Sequence, residues 1–153
     1  MKKNDYIRET VEHIIIVEIF VSKLIALLKL QSENHDISKL SEPEIDYFQK
    51  YTPLLKNSVF GSKKYNQFLE DLKPALEHHY KVNRHHPNGF KNGIKDMNLV
   101  DLIEMICDWK ASSMRHKTGD IYKSLEINQK RFNYTDELKS IFKNTLLLLE
   151  DKK

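Results

Sequence analysis

Apolar side chains recur at intervals of three and four along most of this chain, a spacing that lays one stripe along a helix and differs from the alternation of a half-buried strand. Between positions 6 and 30, Ile, Val, Leu and Phe follow one another without Gly or Pro, which predicts one long helix or two abutting helices. Glu18, Ser22, Lys23 and Lys29 interrupt this stretch. It falls short of the roughly 18 consecutive apolar residues of a membrane span, and no small-residue cleavage site follows it, so it reads as a buried core helix.

Downstream, Ser41-Glu42-Pro43-Glu44 predicts an N-cap, with Glu at the third position and Pro in the first turn. The helix it opens runs through Ile45, Phe48 and Tyr51, and Pro53 and segment 57–62 close it. From 63 to about 83, the spacing of Tyr65, Phe68, Leu69, Leu72, Ala75 and Leu76 predicts another helix, with Pro74 expected to kink it. Segment 84–96 reads as a loop, because His86 precedes Pro87 and because Asn88-Gly89 and Asn92-Gly93 are turn dipeptides. Asn98 is placed to cap a helix with Asp101 at its third position, running to about Arg115 and stopping near Gly119. Two more helices are predicted over 120–132 and 135–149. The expectation is all-α: a single-domain helical bundle of about five to seven helices over residues 1–153, without repeat or linker.

Composition narrows the class only a little further. A chain of 153 residues supports one core, and 4 Gly with 4 Pro are too few for a turn-dense β-sandwich. The net charge of +3 is the small difference between 25 basic and 22 acidic side chains, so it carries no strong nucleic-acid signal. Cys107 is the only cysteine, which excludes an internal disulfide and suits a reducing, cytoplasmic setting with no membrane partner. Lys2-Lys3 and Lys152-Lys153 read as solvated ends, and Trp109 and the tyrosines as core residues. No glycine-rich phosphate loop, nucleophile elbow or CxxC pair occurs, which disfavours serine or cysteine nucleophilic catalysis.

Candidate chemistry lies in the order of histidines and acids. His35-Asp36 is followed by His78-His79, His85-His86, Glu104 and Asp108, enough imidazole and carboxylate to build an N/O site for one or two divalent metals. On the predicted helix from 98 to 115, Asp101, Glu104, Asp108, Ser112 and Arg115 share a stripe of roughly 80°, and apolar residues fill most of the rest. That stripe must meet either solvent or an internal polar site, where a carboxylate needs a cation. The four histidines between 78 and 86 favour the second reading.

Three stretches, HDISK at 35–39, HHPNGF at 85–90 and EMICDWKASSMR at 104–115, resemble the HD superfamily of metal-dependent phosphohydrolases, especially its HD-GYP-type phosphodiesterases. The middle stretch is a shortened form of that family's segment. The resemblance implies an HD-domain-like helical fold and a phosphohydrolase or phosphodiesterase acting on a nucleotide or related phosphate ester. It implies His35, Asp36 and Asp108 as ligands of a divalent ion (Mn, Fe, Co, Mg or Ni), with His79 and either His85 or His86 completing a second position and Glu104 a weaker ligand. Lys39 and Arg115 would hold phosphate oxygens, and a histidine of segment 78–86, His78 foremost, would protonate the leaving group.

The superfamily also places a histidine upstream of its HD dipeptide, and the candidate here is His13, 22 residues before His35. In one straight helix His13 and Leu30 stand about 25 Å apart, and the next five residues return at most roughly 17 Å. Either the helix breaks near Val21-Ser22, or His13 is structural.

Over nearly its full length the chain also resembles an uncharacterised helical family of bacteria and phages with the pattern HDxSKL, HHYxxNRHHP, EMxxDWKAA. This second likeness brings no activity. It keeps open a non-catalytic helical adaptor or phage accessory protein with a structural His/Asp network, and a nucleotide-binding sensor.

Overall fold

A computed structural model describes residues 3–58, 62–115 and 119–150 of the chain. The expected ends at Lys2 and Lys152-Lys153, and parts of the two segments at 57–62 and 115–119, lie outside the described residues. Among the described residues there are six α-helices, three short 3-10 turns and no strand, so the all-α expectation holds. They form two compact units, residues 1–34 and residues 35–153.

The first unit is α1 (Lys3–Glu33), one unbroken helix. Asn34 closes it, with backbone N–H and side-chain amide both donating to Leu30 O. No break occurs at Val21-Ser22, and none of the helix's residues is buried, contrary to the core-helix expectation. Ile14, Ile15, Ile16 and Val17 occupy four successive positions and so point all round the axis. Periodicity identifies a helix here without defining a single face to bury. No helix among the described residues is long and apolar enough to cross a membrane.

In the second unit, a 3-10 turn at Ile37–Leu40 leads to α2 (Ile45–Lys56), which pairs with α3 (Lys63–Val82). Tyr51, Leu72 and Ala75 form their core, lined by Tyr47, Phe48, Leu55, Phe68 and Leu76. Two expectations shift. Pro53 lies within α2, and residues 41–44 form a turn, so that regular helix starts at Ile45. Glu44 makes no capping bond, because its carboxylate faces inward, where imidazole and hydroxyl donors hold it.

After α3, 3-10 turns at Pro87–Gly89 and Gly93–Asp96 fill the expected loop. Gly89 is required there, since a Cβ would fall inside the contact radius of the Tyr80 carbonyl oxygen. The loop therefore lies directly on α3. Next come α4 (Leu99–Ser113), α5 (Ile121–Phe132) and α6 (Asp136–Leu147). Asn98 and Asp101 make the predicted capping box at the start of α4, and Asp120 and Thr135 cap α5 and α6. Met105, Ile106, Ile121, Leu125, Tyr134, Phe142 and Leu146 form the core of this second group, with Trp109 packed against it.

Candidate metal centre

Four segments of the second unit meet at one point: the start of the first 3-10 turn, the end of α3, the adjoining loop, and one face of α4. The turn works because Asp36 adopts a left-handed backbone (φ 57°, ψ 11°), a conformation that Asp tolerates better than most residues. His35 and Asp36 thereby turn their side chains to the same place. At the other end, Asn83 takes an extended backbone and terminates α3, so His85 and His86 double back beside His79. On α4, Glu104 and Asp108 are one helical turn apart and face the histidines.

Asp36 stands at the middle. Its Oδ1 lies 3.1 Å from His79 Nε2 and 3.4 Å from His85 Nε2, and His86 Nε2 is 2.9 Å from His79 Nε2. Its Oδ2 pairs with Lys39 Nζ and lies 3.6 Å from His35 Nε2, which is 3.7 Å from Asp108 Oδ1. Two sets of candidate ligands therefore share this residue: Asp36 with His79, His85 and His86, and Asp36 with His35 and Asp108, the ligand atoms of each set lying within 4.8 Å of one another. A third set joins His35 and His85 to Glu104.

These separations suit a metal. With metal–ligand bonds of about 2.0–2.2 Å, neighbouring ligand atoms stand about 3.0 Å apart at an octahedral edge and about 3.4 Å apart at a tetrahedral one. Among the described residues, Asp36 Oδ1 and both ring nitrogens of His85 are buried without a hydrogen-bond partner. Although His85 Nδ1 comes within 3.0 Å of Glu104 Oε1, it makes no hydrogen bond there and stays unsatisfied. Buried polar atoms are rarely left so, and a cation drawing on them would remove the cost.

The electrostatics run the same way. The nearby Asp108 carboxylate and the hydrogen bond with Glu104 raise His35 to about 10. Burial alone would raise Asp36, but His79, His85 and Lys39 outweigh it and hold the carboxyl far below its usual range. Burial also opposes ionisation of Asp108, which His35 and His85 overcome. His85 is disfavoured as a cation by burial yet raised by Asp36 and Glu104. Burial first, then the neighbouring His85 and His79, push His86 down to about 3, which keeps its imidazole neutral. The centre thus sets ionised carboxylates against positive charge, which Lys39 and a protonated His35 supply here and which a bound cation would supply in place of the His35 proton.

Other residues singled out from the sequence fall around this centre. His78 donates from Nδ1 to Glu44 Oε1 at 2.7 Å, its side chain 38% exposed. Arg115 is exposed two turns beyond Asp108. His13 lies exposed on α1, in the other unit, and belongs to none of the three ligand sets found among the described residues. Asp101, on the same stripe, does not join the centre: fully buried, it accepts Arg84 Nε and Nη2 at 2.9 and 2.8 Å. Glu44 is a centre residue that sequence reasoning misses. Its position after Ser41 matches a capping box, and that local signal hides its distant histidine partners.

No curated protein and no solved structure matches this chain, whereas one family's sequence profile aligns with residues 2–152. The chain belongs to that family, a family of unknown function (DUF5662).

Proposed function

We propose that this protein is a divalent-metal-dependent phosphohydrolase acting on a nucleotide or a related phosphate ester. The observation that carries the reading is the sharing of Asp36, one oxygen facing His79 and His85 and the other facing His35, with Asp108 completing the second set. A divalent metal held there would lower the pKa of bound water and neutralise phosphoryl oxygens. The protein's part is positional. Asp36, His35 and Asp108 would hold one ion, and Asp36, His79, His85 and His86 the other. Lys39, already against Asp36, has its ammonium within reach of a phosphate oxygen at the same edge, and Arg115 supplies a second exposed cation on the α4 side. His78, half-exposed with its Nδ1 on Glu44, is suited to hand a proton to a leaving group.

One observation favours a second reading, a structural network without metal: Lys39 on Asp36 and His35 on Glu104 are pairings that need no ion. The full chain, loaded with Mn²⁺, Co²⁺ or Mg²⁺ and assayed against nucleotides and cyclic dinucleotides, should release product, and Asp108→Ala should abolish turnover while leaving most of the stability. Absence of turnover, together with metal-free protein by elemental analysis, rejects the hydrolase. A loss of several kcal/mol of stability in Asp108→Ala would favour the network.

A further inference from the structure

We infer that Glu44 and Glu104 are the positioning residues of this centre, Glu44 fixing the tautomer and ring orientation of His79 and Glu104 those of His35, and that neither is a ligand. The inference rests on the metal reading above.

The same device occurs twice, built from unrelated parts of the chain. Glu44, at the start of α2 and with no exposed surface, accepts His79 Nδ1 at 2.9 Å on Oε2 and His78 Nδ1 at 2.7 Å on Oε1. Ser38 Oγ donates to the same Oε2 at 3.0 Å and so fixes the carboxylate in turn. Across the centre, Glu104 on α4 accepts His35 Nδ1 at 2.8 Å, and its Oε1 also stands 3.0 Å from His85 Nδ1. In each case the carboxylate takes the Nδ1 side of the ring, and Nε2 is the nitrogen turned towards Asp36.

A carboxylate accepts only, so it demands a proton on Nδ1, and a neutral imidazole then keeps its lone pair on Nε2. Without Glu44, His79 would be free to protonate Nε2 and present a donor where a ligand is needed. Such outer carboxylates also make the imidazole a stronger base and stop the ring turning, and their loss typically lowers metal affinity 10- to 100-fold. Glu104 as a ligand through the third set would require His35 and His85 to offer Nδ1, which turns their Nε2 atoms away from use although these lie at Asp36.

The test uses the full chain with Zn²⁺ as the probe and ¹⁵N-labelled histidine. Long-range ¹H–¹⁵N correlation spectra of the zinc-loaded protein should show His35 and His79 retaining the proton on Nδ1 with Nε2 bound. Zinc bound through Nδ1 of either ring overturns the inference while sparing the metal reading. Failure to take up zinc at all rejects the metal reading and this inference with it. Glu104→Gln should weaken zinc binding 10- to 100-fold, and Glu44→Gln likewise if it folds. Glu104→Gln binding zinc as tightly as the unaltered chain would refute the assignment for that residue, whatever becomes of Glu44→Gln.

Discussion

Asp101 separates the scaffold from the centre, because it sits on the same face of α4 as Glu104 and Asp108 yet serves a different partner. Its buried carboxylate accepts two bonds from Arg84 and a third, at 3.0 Å, from the Asn98 backbone N–H. In Asp101→Ala the Arg84 guanidinium, with 55% of its side chain exposed, stays hydrated, so the roughly 3–5 kcal/mol of stranding a buried cation is not incurred. What is lost is a half-exposed pair of charge-assisted bonds, about 1–2 kcal/mol, and one arm of the capping box, about 1 kcal/mol. The sum is about 2–3 kcal/mol, which for a chain of this size lowers the thermal midpoint by roughly 5–10 °C. Differential scanning calorimetry and urea unfolding measure the loss, and elemental analysis at a temperature where the variant is folded should return the unaltered metal content. A loss below about 1 kcal/mol, or a stable variant that no longer takes up metal, would refute the division of labour on α4.

Further consequences follow from single contacts. Gly89→Ala forces a Cβ into the Tyr80 carbonyl, so the loop carrying His85 and His86 must shift; unfolding should cost at least about 2 kcal/mol less and zinc affinity should fall, as read by calorimetry and titration. Burial pushes the Tyr134 phenol, which donates to Leu125 O at 2.7 Å, up to about 12. A raised pKa means that its contribution to stability is complete below the unfolded value near 10 and is lost as pH rises towards 12, so stability of the unaltered chain should drop over that window by on the order of 2 kcal/mol more than that of Tyr134→Phe. Removing metal with a chelator should lower the thermal midpoint, because binding to the folded state alone adds stability by mass action; an unchanged midpoint at saturating Zn²⁺ would argue against a folded-state site.

Much of this architecture is legible in the sequence because it depends on local rules. Asn98 caps the helix that its side chain predicts, α5 and α6 lie where helices are expected, and the spacing of Leu72, Ala75 and Leu76 marks the buried face of α3. The centre is legible where residue type and order suffice: His35, Asp36, His79, His85, His86 and Asp108 are all candidates, and all converge. Two residues and one helix show where such reading stops. Glu44 looks like a helix cap, Asp101 looks like its neighbours Glu104 and Asp108, and the apolar run of α1 looks like core. In each case the deciding partner is remote in the chain, or is not specified by the helical period at all.

If the centre binds metal as proposed, whether it holds two ions or one turns on His86. It alone among the inward imidazoles has no carboxylate on its other nitrogen among the contacts described, and its Nε2 meets another Nε2, that of His79, at 2.9 Å. With the His79 proton on Nδ1 for Glu44, that short approach is satisfied either by a proton on His86 Nε2 or by a cation between the two rings. In His86→Phe the ring contacts with Tyr80 and His85 can persist, and the loss of a neutral hydrogen bond costs only about 1 kcal/mol. If each set holds its own ion, this variant should lose one equivalent of zinc and keep the ion at His35, Asp36 and Asp108, while Asp108→Ala should lose the other. Equal loss of all bound zinc from both variants would mean a single ion using ligands from both sets, and Asp36 would then be a terminal ligand and no longer a bridge.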